Sequence, residues 1–309
     1  MILLLVTLLT CASGNDSLKV MFWNLENYFD WRNDTTSVSD AEFSSRGERH
    51  WTRKRFRAKS NAIAKSILWA GAPDVIGLAE VENAFVLKRL LAETALRKLD
   101  YRIVHYDSPD PRGIDVALLY RSSRLALADA KPCHLYAADS TVMPTRDILL
   151  AHFLTPEGAD VIFLVNHHPS KYGGTAVSEK RRAIAVRRLR ELADSLGVIG
   201  QKTLLAMGDM NDAPGNPIYR ELAPTLVNLA EPLFQRGEGT IKYDGAWELI
   251  DQFFVSPSAR TSPMSILHVP FLTVPDKGFS GTKPLRTYSG PRYLGGVSDH
   301  CPIILTLYL

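Results

Sequence analysis

A chain of 309 residues, 46% of them hydrophobic, carries enough apolar side chain for one large core. A formal charge of only +3 excludes a protein that is basic throughout and grips nucleic acid by bulk electrostatics. Three cysteines, none in a C-x-x-C pair, exclude a disulfide-framed or zinc-stapled scaffold, so Cys133 and Cys301 are expected as free or buried thiols.

In chain order, the first element is the apolar run MILLLVTLLTCASGND. About ten apolar residues are too few to span a bilayer and match the h-region of a secretory signal, although a basic n-region is missing. Residues 1–17 therefore read as a signal peptide or a lipoprotein leader. LLTC ending at Cys11 resembles a bacterial lipobox, which would put a lipid anchor on Cys11; ordinary cleavage near Gly14 is the other outcome. Both imply an exported bacterial protein, periplasmic or an outer-membrane-associated lipoprotein, with no transmembrane helix in the mature chain. Residues 18–309 show no linker, repeat or sustained heptad and are expected to form one domain, monomeric by default.

From residue 18 onward, short apolar runs alternate with amphipathic segments. The runs predict strands at 18–23, 74–79, 101–106, 114–120, 147–154, 160–166, 203–208, 249–255 and 302–308, with helices at 54–70, 84–99 and 177–196. In the last helix Ala185, Leu189, Leu192 and Leu196 form a buried stripe, and Arg181 falls on it one turn earlier, turned toward a site. Strands mixed with helices over this length define an α/β protein of packed sheets. The Pro-, Gly- and Ser-rich stretch 256–297 reads as a long ordered loop that shapes a binding site. Two basic runs stand out: Arg46 to Lys65 holds eight Lys/Arg against one Glu, and Lys180 to Arg190 holds six more. They read either as solvated helix faces or as phosphate attractors.

Polar residues gather at the ends of the strands. Asn24 and Glu26 end the first, Glu80 and Glu82 the second, Asn166, His167 and His168 a third, and Asp209, Asn211 and Asp212 a fourth. Asp251 sits inside the apolar run LIDQFFV, where a charge needs a partner, and His300 in SDH is a candidate. Oxygen ligands of this kind suit Mg²⁺, Mn²⁺ or Ca²⁺. With no P-loop, no G-x-G-x-x-G and no G-x-S-x-G elbow, a nucleotide cofactor and a serine hydrolase are excluded.

Taken in order, W-N-L-E-N, L-A-E-V, N-H-x-P-S, G-D-x-N, I-D-x-x-x-V-S and S-D-H-x-P-I resemble the endonuclease/exonuclease/phosphatase superfamily, from about residue 20 to the C-terminus. WNLENYFD, RGIDVALLYR and NHHPSKYGG resemble its bacterial exported members. The resemblance implies a four-layer α/β/β/α sandwich, two packed mixed sheets flanked by helices, of the DNase I-like kind. It implies a Mg²⁺ site (Mn²⁺ or Ca²⁺ as alternatives) at Glu80, Asn24, Glu26 and Asp299. His300 matches the general base, Asp251 the acid that orients it, Asp209 and Asn211 the pair that positions water and phosphate, and His167 the second catalytic histidine. Arg146 matches a phosphate-contacting arginine, with Arg181 and Asn211 also facing phosphate. We expect Asp115 to pair with His167 as a second dyad beside Asp251–His300. Glu82 stands where DNase-like members place a DNA-contacting arginine, and an acid on that rim would repel a duplex.

The implied activity is a metal-dependent phosphoester hydrolase, foremost a nuclease-type phosphodiesterase with nucleic acid as substrate. The alternative is a phosphatase or phosphodiesterase on a small phosphorylated metabolite or a lipid headgroup, sphingomyelinase- or inositol-phosphatase-like. A catalytically dead binding protein on the same fold is the third reading.

Overall fold

The structure is a computed structural model that describes residues 17–34, 38–170, 175–197 and 202–309. Residues 1–16, Cys11 among them, and the KYGG segment lie outside the described residues, while Ser17, the last residue of the expected leader, opens the first strand. Strands β1 (Ser17–Tyr28), β2 (Val75–Val81), β3 (Tyr101–His105) and β4 (Asp115–Arg121) occupy the first part of the chain. They are followed by β5 (Ala126–Cys133), β6 (Ile148–Leu154), β7 (Asp160–His167), β8 (Thr203–Asp209) and β9 (Val227–Asn228). After a small hairpin, β10 (Ile241–Tyr243) and β11 (Ala246–Glu248), come β12 (Asp251–Val255), β13 (Arg260–Thr261) and β14 (Ser265–Ile266). Two more hairpins, 273–284 and 288–293, precede the last strand, Ile303–Tyr308.

One sheet runs β13, Ile303–Tyr308, β1, β2, β4, β3, with β14 also on the last strand; the other runs β5, β6, β7, β8, β12, β9. Both are mixed. β1–β2 and β7–β8 are parallel, and the other pairs of the two sheets are antiparallel. The two-residue alternation of strand side chains sorts the apolar residues into layers. Val20, Phe22, Ala79 and Leu118 of the first sheet meet Leu149, Phe163, Met207 and Phe253 of the second in one central core. Met21, Trp23, Ile76, Leu78 and Leu119 point the other way, onto the helices α1 (Arg53–Trp69) and α2 (Ala84–Glu93). Leu150, Ile162, Leu164, Ala206 and Phe254 pack on α3 (Thr175–Gly197). Both faces of both sheets are therefore covered, which gives the expected α/β/β/α sandwich and explains why the strands read as continuous apolar runs.

The prediction missed β5, whose residues are mostly exposed at the sheet edge and are small or charged rather than a continuous apolar run, and several strands of two or three residues. In α3 the expected stripe of Ala185, Leu189 and Leu192 is buried, with Leu196 packed partly buried beside it and Val186 and Ala193 widening it; at its start Arg182 is buried and Arg181 is exposed. Cys133 and Cys301 are buried and free, as expected. Among the described residues no helix is long and apolar enough to cross a membrane.

Candidate active site

Strand register assembles the site. His167 pairs with Asp209 across the parallel β7–β8, and Asp251 pairs with Asp209 across the antiparallel β12–β8. Three adjacent strands thus deliver His167, Asp209 and Asp251 in one row. The other sheet adds Asn24 and Glu26 from the end of β1 and Glu80 from the end of β2. His300 and Asp299 arrive just before Ile303–Tyr308, which pairs with β1.

The backbone is bent where these residues leave their strands. Pairing slips between Asn24 and Tyr28 on β1 and between Ala79 and Val81 on β2. Glu26, Asn27, Glu80 and Asn211 have positive φ angles of 49°, 56°, 58° and 51°. Non-glycine residues avoid this region, and bulges that re-aim side chains concentrate near active sites.

His300 is buried with Nδ1 2.8 Å from Asp251 Oδ2, and its backbone N–H donates to Ser298 Oγ at 2.9 Å. Its other nitrogen, Nε2, lies 3.8 Å from Asp209 Oδ2 and 3.8 Å from Asp299 Oδ1. Burial alone would disfavour the imidazolium; Asp251, then Asp209 and Asp299, outweigh it and raise the pKa well above the usual histidine value. Asp209 is pushed up to about 7 by burial, with Asp251 adding to the rise. Its Oδ2 accepts from Asn24 Nδ2 at 3.0 Å and lies 3.6 Å from His167 Nε2, while Oδ1 accepts the Asn211 backbone N–H at 2.9 Å. Asn211 Nδ2 donates to the His168 carbonyl. His167, lowered first by burial and then by Arg146, is held neutral.

Beside this row lies an acidic set. Glu26 is buried and pushed up to about 8, by burial first and by Asp299 second. Arg286 bridges the two acids, Nε 3.0 Å from Glu26 Oε1 and Nη2 2.9 Å from Asp299 Oδ2. The Thr287 N–H donates to Glu26 Oε2, and Asn27 N–H to Glu80 Oε2. Lys59 Nζ, buried, donates to the Glu26 carbonyl at 2.6 Å and to Thr287 Oγ1. Carboxylate oxygens suit a hard divalent cation, and here the buried Glu26 resists ionising without a counter-charge while a half-exposed guanidinium bridges it to Asp299. Asn24 links the two groups of residues, since its Oδ1 accepts the Glu26 N–H.

Three expectations are corrected. Asp115 does not pair with His167. Its Oδ2 lies 3.0 Å from His105 Nε2, and its Oδ1 accepts from Ser108 N at 2.8 Å. The register of β3 on β4 sets His105 opposite Ala117, two residues along from Asp115 and hence on the same face. His167 Nδ1 is left without a hydrogen-bond partner among the described residues. Glu82 is not a rim acid: it is only 8% exposed and accepts the Asp30 N–H at 2.6 Å. The bulge at Glu80 breaks the alternation that would have put Glu80 and Glu82 on one face. On α3, Arg182 rather than Arg181 is the buried arginine, 3.0 Å from Asp212 Oδ2.

Arg146 is buried, with Nη1 on Asp110 Oδ2 at 2.9 Å and Nε and Nη2 on the carbonyls of His167 and His168. Lys59, Arg112 and Arg286 escaped the sequence reading. Lys59 carried a signal, its helical spacing from Phe56 and Ile63; Arg286, in a loop without periodicity, carried none.

A family model described as Endonuclease/Exonuclease/phosphatase family matches residues 19–308. The chain belongs to that family. No curated protein matches it in sequence. Among solved structures it resembles an endonuclease/exonuclease/phosphatase family protein from Bacteroides thetaiotaomicron, at 19% identity and TM-score 0.64, over 94% of this chain and 97% of that one. It resembles a mannosyl-6-phosphatase of the same organism at 18% identity and TM-score 0.62, over 94% and 100% of the two chains. The human nocturnin catalytic domain with bound sulfate follows at 17% identity and TM-score 0.60, over 94% of each. At these identities the likeness shows the fold.

Proposed function

We propose that this chain is a divalent-metal-dependent phosphoester hydrolase that activates water with a His–Asp pair. The observation that carries this reading is the Asp251–His300 contact of 2.8 Å, with Nε2 of the same ring left facing Asp209 beside the acidic set. Glu26, Glu80 and Asp299 would hold the ion, Mg²⁺ in the first instance, once Arg286 moves aside. When bound, such an ion supplies charge neutralisation for the phosphate and the leaving oxygen.

Once its Nε2 proton has been released, His300 takes the proton of the attacking water at Nε2, and Asp251, with Asp209 near, stabilises the imidazolium that results. Asp209, fixed by Asn24 and the Asn211 N–H, orients the water. His167 Nε2 faces the same oxygen of Asp209 and, as a neutral ring, is placed to hold a phosphate oxygen.

The substrate reading shifts from the one the sequence put first. Part of the basic runs that favoured a nuclease is engaged within the protein. Arg53 lies over Trp31, Arg55 over Tyr293 and Lys65 over Phe271, while Lys59 and Arg182 are buried. A half-open cleft beside the site favours a small phosphoester, and the mannosyl-6-phosphatase neighbour is in keeping with this. Glu82, being buried, no longer argues against a duplex, so nucleic acid stays as the second reading. Parallel assays on a hexose 6-phosphate, bis-p-nitrophenyl phosphate and plasmid DNA decide between them: we expect turnover of the small esters to exceed plasmid nicking, and the reverse order restores the nuclease.

A further inference from the structure

Next to His167 the fold forms a half-open cleft of about 390 Å³. Its walls come from the Asp110–Arg112 loop, the Pro144–Arg146 segment before β6, Pro169 and Ser170 after β7, and the first turns of α3. Three guanidinium groups, Arg112, Arg146 and Arg181, face one carboxylate, Asp110, which Arg146 already engages at 2.9 Å. Thr145 is 5% exposed, and its Oγ1 has no hydrogen-bond partner among the described residues. A buried hydroxyl in that state is costly unless something satisfies it. The remaining described lining is Pro111, Pro144, Pro169, Val177 and the two serines Ser170 and Ser178, with no aromatic ring on which a base could stack.

The cavity is coupled to the reaction centre by its own arginines. Arg112 Nη2 donates to Asn27 Oδ1 at 2.8 Å and lies 3.5 Å from Glu80 Oε1. Arg146 holds the carbonyls of both His167 and His168. A group bound here is within one small molecule's length of the ester under attack.

We propose that this cavity is a second anion subsite, which takes a phosphate that the substrate carries beyond the scissile phosphoester. The role as a substrate subsite rests on the phosphoester-hydrolase reading; the anion site itself does not. Arg112 and Arg181 offer forked donors to phosphate oxygens. The second phosphate has two chemical sources, a bisphosphorylated metabolite or the neighbouring phosphate of an oligonucleotide.

Binding and turnover test it separately. Inorganic phosphate is titrated calorimetrically into the full chain in EDTA, at fixed ionic strength, with wild type, Arg112→Ala/Arg181→Ala, the exposed charge reversal Arg181→Glu, and His300→Ala. We expect wild type and His300→Ala to bind alike and both arginine variants to bind at least ~10-fold more weakly. No binding by wild type overturns the subsite. So does wild-type binding by the arginine variants, or an equal loss in His300→Ala, which would put a single phosphate at the reaction centre.

In the second arm, kcat/KM is compared for fructose 1,6-bisphosphate against fructose 6-phosphate, and for pTpT against TpT, each with Mg²⁺. A preference for the doubly charged partner of about tenfold or more, falling toward unity in Arg181→Glu, is expected in one pair, and that pair names the source. Equal kcat/KM within both pairs overturns the subsite. Retained phosphate binding with no turnover of any ester would leave the anion site standing and remove the hydrolase reading.

Discussion

One carboxylate oxygen, Asp209 Oδ2, has Asn24 Nδ2, His167 Nε2 and His300 Nε2 at 3.0, 3.6 and 3.8 Å. Around it, single substitutions have separable consequences. Asp251→Asn keeps the volume but loses the negative partner of His300 Nδ1. We expect kcat to fall by roughly 10²–10⁴-fold with the fold intact, read by steady-state kinetics beside a thermal melt. A loss of less than about threefold would separate Asp251 from the chemistry. Arg286 makes the opposite kind of prediction. Its guanidinium lies between Glu26 and Asp299, where a cation ligand set is expected, so it competes with the ion. Arg286→Ala should tighten Mg²⁺ binding by about tenfold in calorimetry, since one like-charged competitor is removed. Weaker binding would mean that Arg286 supports the site instead. Asp251, Asp209 and His300 were legible because a charge beside an apolar strand demands a reason. The partner of Asp115 was not, because it depends on how β3 registers against β4, and nothing in RGIDVALLY encodes that offset.

Elements carry these residues into place, and α3 shows how. Arg182 from its second turn reaches Asp212, three residues beyond Asp209 on the loop that follows β8. Asp212 also accepts from Asn216 Nδ2 at 2.8 Å. Removing the arginine leaves a carboxylate with little solvent access, and Arg182→Ala should cost about 3–5 kcal/mol in urea unfolding. A change under about 1 kcal/mol would show the pair to be merely tolerated. The strand ends are equally constrained. A Cβ at Gly208, directly before Asp209, would lie 2.3 Å from the carbonyl oxygen of Asn166. Strand positions were readable because both faces of each strand are buried. β5 was not, since its exposed run of alanines broken by Asp129, Lys131 and Pro132 matches a loop. The burial of Arg182 in place of Arg181 on α3 has a physical cause as well. Arg181 and Arg182 both lie near an apolar stripe, and only the position of Asp212 decides which of them turns inward.

Across the whole molecule, burial of neutral groups sets the response to acid. His168 lies between the sheet and α3 with both ring nitrogens unpartnered among the described residues. Burial first, then Arg146 and Arg182, lower its pKa to about 3. The unfolded chain therefore binds a proton that the folded chain refuses. The stability tied to His168 is complete above the unfolded histidine value of about 6.5 and drains away as pH falls toward 3, by up to about 1.4 kcal/mol per pH unit. Urea midpoints at pH 7 and pH 4.5 should fall further for wild type than for His168→Leu; parallel losses would contradict this.

The sandwich as a whole exists to hold two strand-end sets against each other, the acids of one sheet and the His–Asp row of the other. The most direct test is the initial rate of p-nitrophenol release from mono- and bis-p-nitrophenyl phosphate, in Mg²⁺ and in EDTA, for wild type and His300→Ala. The account predicts a Mg²⁺-dependent rate that drops by about 10²-fold or more in the variant. A rate that survives EDTA, or that His300→Ala leaves unchanged, would contradict it.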